Sequence, residues 1–357
     1  MSGPDGTRPL RIATRGSELA LTQSRHIAAR IARELRVETE LVVLRTTGDR
    51  IQDRSLAKIG GKGLFVKEIE EALLDGRADV AVHSAKDVPA RIAAGCVIAA
   101  HPEREDPRDA LCSRVRGQQL ADLRRGARVG TGSTRRMALL RAHRPDLEIV
   151  PLRGNVGTRL GKLEGEDGLD AVVLACSGLD RLGLGQVIDE RIAPETMLPA
   201  VGQGLLALET REGDVWHARL ATLESFEIGV VARAERAFQK SVGGDCSVPL
   251  AGFGERLGDG RLRFRGLVSS LDGKRVARAE ETSPESEAAA LGARVAQAVL
   301  AGGGREILAA LAEAGIGPGD PIDGPDGADG SRRAEGSHSA EGSHPAEGSH
   351  PAEGSDA

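Results

Sequence analysis

Short apolar runs alternate with amphipathic helical stretches along this chain, and partway through the alternation begins again. Leu10–Thr14 reads as a short buried strand. Ser17 then fits a helix N-cap, with Leu19, Ile27, Ile31 and Leu35 roughly on one helical face. Glu40–Arg45 is a second strand. Thr46–Gly63 is polar and glycine-rich and reads as a long loop, of the kind that is usually functional or mobile. Leu64–Asp75 is a helix closed by Gly76, and Ala78–His83 is a third strand. Such alternation predicts a mostly parallel sheet with helices on both faces. The restart runs through a strand at Arg128–Gly130, a helix from about Ser133 to Ala142, a strand at Glu148–Leu152, a helix at Asn155–Leu163 and a strand at Asp170–Ala175. It predicts a second α/β unit with its own sheet. Leu205–Thr210 is a further strand-like run that could return to either sheet.

After Ser225 the pattern changes. Val230–Lys240 reads as a helix, followed by a glycine-rich turn holding Cys246. Arg261–Ser270 and Lys274–Glu280 alternate like two antiparallel strands about the turn Asp272-Gly273. Ser286–Leu300 and Glu306–Ala314 read as helices, completing a small α+β unit. From Gly317 onward the chain is rich in Gly, Pro, Asp and Ser and ends in near-copies of Ala-Glu-Gly-Ser-His-Pro. A tail of this composition cannot bury enough surface to fold. Its His338, His344 and His350 read as incidental to a solvated segment rather than as a metal site.

Composition narrows the function classes. Aromatic residues are 2% of the chain and Tyr is absent, so platforms for stacking single-stranded bases are scarce. The net charge of −5 offers no global basic field for a polyanion, so any anion site must be local. The apolar runs fall short of the roughly 20 residues of a membrane span, and Met1–Pro9 is polar without a signal core, so a cytoplasmic protein is expected. The four cysteines, Cys96, Cys112, Cys176 and Cys246, form no CxxC pair, which points to neither zinc nor a disulfide framework.

Four stretches carry chemistry. His83-Ser-Ala-Lys-Asp-Val-Pro89 directly follows a predicted strand, and open α/β sheets bind ligands beyond the carboxyl ends of their strands. There Asp87 beside Lys86 suits acid/base work or stabilisation of a cation; local sequence leaves a surface Lys-Asp turn as the alternative. Arg15, Arg135, Arg136, Arg153, Arg159 and Arg181 fall mostly just after predicted strands or at helix starts. Helix N-termini and guanidinium groups both favour anions, so the set implies a ligand with several negative groups. Gly243-Gly-Asp-Cys-Ser-Val-Pro249 presents a cysteine in a glycine-rich turn, either an accessible nucleophile or a small residue buried in a loop. The other three cysteines sit in or near apolar stretches and read as structural. Lys58-Ile-Gly-Gly-Lys-Gly-Leu-Phe65 lacks the spacing of a nucleotide phosphate loop and fits a mobile basic lid better.

Taken together, the chain resembles the porphobilinogen deaminase (hydroxymethylbilane synthase) family from about Leu10 to Ala314. The strings that carry the resemblance are Arg11-Ile-Ala-Thr-Arg-Gly-Ser17, Gly60-Gly-Lys-Gly-Leu-Phe-Val-Lys67, His83-Ser-Ala-Lys-Asp-Val-Pro89, Arg104-Glu-Asp-Pro-Arg-Asp109, Leu152-Arg-Gly-Asn-Val-Gly-Thr-Arg159 and Leu198-Pro-Ala-Val-Gly-Gln-Gly204, followed by the cysteine turn.

The resemblance implies an α/β fold: two doubly wound domains like those of periplasmic binding proteins, with a cleft between them, and a small α+β C-terminal domain. The expected boundaries are 8–103 with 204–222, 104–203, and 223–316, followed by a disordered tail at 317–357. It implies a dipyrromethane cofactor joined to Cys246 by a thioether. On this primer four porphobilinogens are condensed head to tail, ammonia leaving each time, and the linear tetrapyrrole is released by hydrolysis. Asp87 is implied as the catalytic carboxylate, stabilising the cation that forms when ammonia leaves. Lys86, Ser133, Arg135, Arg136 and Asp49 are expected at the cofactor. Arg15, Ser17, Arg153, Arg159, Arg181, Lys58, Lys62, Phe65 and Gln203 are expected at the substrate, with Gln203 near the hinge and Phe65 near the substrate ring. No metal, nucleic acid or membrane is expected, and the family suggests a monomer.

The chemistry fits the residues, because each added ring brings an acetate and a propionate and so accounts for local arginines in an acidic protein. Two departures stand out. Gly132-Ser133 replaces a frequent pair of serines. Asp245 precedes Cys246 where glycine is usual, and its charge would raise the thiol pKa and slow cofactor attachment. A different-class alternative is a two-lobed module that clamps a carboxylated ligand without chemistry, which leaves the cysteine turn unexplained.

Overall fold

The computed structural model describes residues 8–46, 66–165, 168–243 and 247–316, and the structural statements below concern those residues. Strand β1 (Leu10–Arg15) is buried on both faces. Leu10 and Ile12 pack in one cluster with Ile27 and Ile31 of helix α1 (Glu18–Leu35). Ala13 packs in another with Ile69, Ala72 and Leu73 of helix α2 (Lys67–Leu74). A strand covered on both sides reads as a continuous apolar run, which is why it is legible in the sequence. Helix α1 begins at Ser17, whose hydroxyl accepts the Ala20 N–H, and ends at Arg36 in the left-handed region (φ 54°).

Strands β2 (Thr39–Leu44), β3 (Val80–Ser84) and β4 (Cys96–Ala100) complete this half together with a later strand. A second set follows: β5 (Asp109–Ser113), β6 (Arg128–Thr131), helix α3 (Thr134–His143), β7 (Glu148–Pro151), helix α4 (Val156–Gly161), β8 (Ala171–Ala175), helix α5 (Cys176–Arg181) and β9 (Glu190–Ile192). The chain then returns as β10 (Leu206–Arg211), followed by helix α6 (Val215–Ala221). The first sheet has the order β2-β1-β3-β10-β4 and the second β7-β6-β8-β5-β9. In each, three strands run parallel, and the fourth pairs antiparallel with its neighbours. The sheets are therefore mixed, and β10 belongs to the first.

Between β4 and β5, and again between β9 and β10, the chain crosses from one sheet to the other. The two crossings pair: Glu105 N–H donates to the Gly204 carbonyl at 3.0 Å and Leu206 N–H to the Glu103 carbonyl at 3.3 Å, around an isolated bridge between Arg104 and Leu205. Gly204 has φ +87°, and a Cβ there would lie 2.3 Å from the Glu105 oxygen, so the crossing requires glycine twice over.

The last part pairs β11 (Leu250–Arg256), β12 (Arg261–Ser269) and β13 (Val276–Pro284) antiparallel in the order β11-β12-β13. The sequence pattern predicts two antiparallel strands here; the third, β11, carries Gly252 and Gly254, which weaken a strand pattern. Helices α7 (Phe226–Val242) and α8 (Ala288–Val299) share a core with this sheet that includes Phe238, Phe264, Leu291 and Val295. The rings of Phe238 and Phe264 lie 5.2 Å apart, and Gly266 makes room for Phe238, because a Cβ there would meet its ring at 2.4 Å.

Helix α9 (Arg305–Glu313) follows α8 after a kink at Gly302 and Gly303, whose φ/ψ are not helical. By length and composition alone the 29-residue helical stretch Glu285–Glu313 could cross a membrane, since an 18-residue window in it has a mean hydropathy of 1.2, more apolar than the sequence reading expects. Its α8 portion is part of the core just described, and such helices are common inside soluble folds.

Candidate active site

Two parallel strands of the first sheet end on polar residues. β1 ends at Arg15, followed by Ser17 at the cap of α1, and β3 ends at Ser84, followed by a 3-10 turn, Ala85–Asp87. Asp87 is exposed and lines one pocket with Arg15, Ser17, Gln23 and Ser84. Gln23 is buried on α1 and donates to the Ser84 hydroxyl at 2.9 Å, tying the ends of β3 and α1 together. His83, also lining this pocket, is buried with Nε2 2.9 Å from Glu209 of β10.

The second sheet repeats this plan. β6 leads through Gly132 to Ser133, which caps α3 by accepting the Arg136 N–H at 3.4 Å. Arg135 and Arg136 therefore sit in the first turn of α3, both buried. They face Asp109, the first residue of β5, which is fully buried beside the end of β8. Arg135 donates to Asp109 at 2.7 and 2.9 Å and to the Leu198 carbonyl at 2.8 Å. Arg136 Nε donates to Asp109 at 2.8 Å. Gln203 completes the cluster: its amide donates to Asp109 (3.0 Å) and to the Pro107 carbonyl (2.6 Å), and accepts from Arg136 at 3.2 Å. Burial alone would raise the Asp109 pKa, but the two arginines outweigh it and hold the carboxyl well below its usual range. Gln203 thus lies at the crossing between the sheets.

Arg153 follows β7 and is exposed, while Arg159 on α4 has its Nε on the Gly154 carbonyl at 2.7 Å. Burial lowers the Arg159 pKa; the charges of Arg136 and Arg153 add to this, and that of Asp87 opposes it. Lys86 is pushed down to about 8, first by burial, with Asp87 opposing and Arg136 adding. Side chains from both sheets therefore lie within electrostatic reach of one another. Arg181 at the end of α5 turns instead to the crossing, donating to the Gly204 carbonyl at 2.8 Å and to Glu103 at 3.3 Å. Among the described residues, no group of His, Cys, Asp and Glu forms a metal site. Asp49, Lys58, Lys62, Phe65 and Cys246 lie outside the described residues, as does the tail from 317 onward.

A dense set of cations (Lys86, Arg136, Arg153, Arg159), offset by few carboxylates, suits a ligand carrying several carboxylates. Comparison with known proteins identifies the ligand class. A family model described as "Porphobilinogen deaminase, dipyromethane cofactor binding domain" matches residues 10–218, and one described as "Porphobilinogen deaminase, C-terminal domain" matches residues 230–301. The chain is 50% identical to a porphobilinogen deaminase of Syntrophus aciditrophicus over 301 residues, covering 84% of this chain and 97% of that protein. It is 51% identical to one from Ralstonia nicotianae over 306 residues, covering 84% of this chain and 91% of that protein.

The chain belongs to the porphobilinogen deaminase family.

Family membership makes it an enzyme of porphobilinogen chemistry with a dipyrromethane cofactor. Among solved structures, a periplasmic substrate-binding protein of an ABC transporter from Coxiella burnetii overlays 60% of this chain and 91% of its own length, at a TM-score of 0.38 and 16% identity. The structure also accounts for one departure from the porphobilinogen deaminase pattern. A Cβ on Gly132 would lie 2.4 Å from the Leu152 carbonyl oxygen, so this backbone has no room for serine there.

Two residues of the site carry little or no functional signal in the sequence. Asp109 stands only as the last letter of a family string, its partners Arg135 and Arg136 lying far along the chain. Gln23 does leave a signal: it sits between Leu19 and Ile27 at four-residue spacing, a polar residue within the buried stripe of α1.

Proposed function

We propose that this chain is a transferase that condenses four porphobilinogens head to tail and releases the linear tetrapyrrole hydroxymethylbilane, acting as a cytoplasmic monomer without nucleic-acid or membrane partners. Its working units would be residues 8–103 with 204–222, residues 104–203 and residues 223–316; each holds a sheet of its own. Cys246 would hold the dipyrromethane through a thioether, and that group would supply the nucleophilic pyrrole carbon of the condensation.

The donor set fits such a group. Lys86, Arg136 and Ser133 stand at the strand ends where its carboxylates would lie, and Arg136 Nη1 has only a long 3.4 Å contact with the Val173 carbonyl. Arg135 contributes mainly its field, since its terminal nitrogens are engaged by Asp109 and Leu198. Arg15, Ser17, Arg153 and Arg159 would hold substrate carboxylates. Arg181 and Gln203 would act from the crossing between the sheets. For Asp49, Lys58, Lys62 and Phe65, outside the described residues, the family resemblance supports roles at the cofactor (Asp49) and at the substrate (the other three).

The observation that carries this reading is the exposed carboxylate of Asp87, which shares a pocket with Arg15 and Ser17 and feels Arg159 of the other sheet. A fixed negative charge there opposes the positive charge that develops as ammonia leaves the aminomethyl group, and it can accept a pyrrole proton. Because that charge is greatest in the transition state, Asp87→Asn should lower kcat by roughly 10²–10³ with KM little changed. Steady-state kinetics with porphobilinogen test this, and turnover at the wild-type rate would contradict it.

A further inference from the structure

The turn that carries Asp87 is only three residues long, with one closing hydrogen bond from Val88 N–H to the Ala85 carbonyl at 3.2 Å. So short a turn cannot by itself hold an exposed carboxylate still. Helix α7 grips it from outside. Arg236 Nη1 donates to the Pro89 carbonyl at 2.9 Å and to the Val88 carbonyl at 3.3 Å, and Gln239 Nε2 donates to the Val88 carbonyl at 3.3 Å. Arg236 also donates to Gln239 Oε1 at 2.8 Å, which orients the amide toward Val88.

The other end of the turn is held by the neighbouring residue of the same helix. Glu235 is fully buried and accepts the Gly202 N–H at 2.6 Å, and it pairs with Arg104 at 2.8 Å. Gly202 in turn abuts the peptide between Ala85 and Lys86, where a Cβ on it would meet the Ala85 carbonyl carbon and the Lys86 nitrogen at 2.9 Å each. None of these α7 residues lines the pocket around Asp87.

We infer that Arg236 and Gln239 are positioning residues for the condensation, fixing the segment 85–89 so that the Asp87 carboxylate stays where the cation forms. The inference rests on the role of Asp87 proposed above. Catalysis by a placed charge is sensitive to displacements of about 1 Å, which can cost about 10²-fold in rate, so hydrogen bonds that add little to binding can matter greatly to turnover. Burial lowers the Arg236 pKa, and the nearby charge of Glu209 opposes that shift.

The test uses full-length, cofactor-loaded enzyme, with loading checked by intact mass, and compares Arg236→Met, Arg236→Lys, Gln239→Leu and Asp87→Asn. Arg236→Met should lower kcat by about tenfold or more with KM within about twofold, and speed hydrogen exchange at the amides of Lys86, Asp87 and Val88. Arg236→Lys should restore part of both, and Gln239→Leu should shift both in the same direction by less. If Arg236→Met does not fold, the outcome for Gln239→Leu decides between the two results. Faster exchange with kcat unchanged, or lower kcat with exchange unchanged, would overturn the inference. If Asp87→Asn turns over normally, the reading of Asp87 itself fails; if Asp87→Asn is inactive while Arg236→Met and Gln239→Leu keep full kcat, only the positioning role fails.

Discussion

Asp109 receives both terminal nitrogens of Arg135, at 2.7 and 2.9 Å, in a pair closed off from solvent at the start of β5. Arg136 and Gln203 add their own bonds to the same carboxylate, so one residue ties together α3, β5 and the return crossing to the first sheet. Removing it would leave two buried arginines uncompensated. Asp109→Ala should therefore destabilise the fold by about 3–5 kcal/mol, read from urea midpoints. The arginines hold its folded pKa below the unfolded value of about 3.9, so its contribution is complete above that pH and is lost as pH falls toward the folded value. The wild-type advantage over Asp109→Ala should shrink in acid, and an advantage that stayed constant down to about pH 2 would contradict the pairing.

Lys86 gives a signature at the other end of the pH scale. Its pKa falls from the ordinary 10.5 to about 8, so it loses its charge as pH rises through 8 while most lysines keep theirs. With that charge lost its hold on a cofactor carboxylate weakens, so cofactor loading of the apo-enzyme, followed by intact mass, should slow above pH 8, and the slowing should be absent in Lys86→Met, which loads more slowly at every pH. Stability should move the other way. Below pH 8 the folded state bears the full cost of a half-buried charge; between 8 and 10.5 the unfolded chain binds more protons, so stability increases with pH. A loading profile identical for wild type and Lys86→Met would exclude Lys86 from holding a cofactor carboxylate.

Gly204 combines a φ of +87° with a carbonyl 2.3 Å from where a Cβ would stand. Gly204→Ala should lose roughly 1–3 kcal/mol from the backbone conformation alone, with more from the displaced Glu105. Calorimetry should show a lower Tm. A Tm indistinguishable from wild type would mean that the crossing relaxes freely.

The thiols of Cys96, Cys112 and Cys176 are buried, and burial pushes each up to about 12. Since the thiolate is the reactive form, an alkylating reagent at about pH 8 should leave all three unlabelled in the folded protein and label them once it is unfolded. Peptide mapping reads this directly, and rapid labelling of any one in the folded state would contradict its burial.

The strands most readable from sequence are those covered on both faces, such as β1 and β8, whose apolar runs are nearly continuous. Strands β5, β9 and β11 escape such a reading for identifiable reasons. β5 opens on the charged Asp109, β9 has three residues, and β11 is interrupted by Gly252 and Gly254. The destination of β10 is equally hidden, because pairing partners far apart in sequence leave no local mark.

At the site, Asp87, Lys86 and most of the arginines are visible as residue types at strand ends, but the direction of their side chains is not. Arg135 and Arg136 read as groups awaiting an external anion; that both also reach an internal one, Asp109, is not visible in the sequence. Arg181 likewise turns to the Gly204 carbonyl, a choice set by the crossing of two distant segments. Arg236 and Gln239 show no signal at all, because a helix pattern does not reveal which backbone carbonyls its polar side chains will meet.

In the proposed reaction carboxylated pyrrole units are added one at a time to a primer tethered at Cys246, with Asp87 serving each condensation. The intact mass of the purified enzyme, taken before and after limiting porphobilinogen, tests it most directly. The starting mass should exceed that of the chain by one dipyrromethane, located by peptide mapping on Cys246, and a ladder of single pyrrole additions should follow that is absent in Cys246→Ser. An unmodified chain that still turns over porphobilinogen, or an adduct located at another residue, would contradict it.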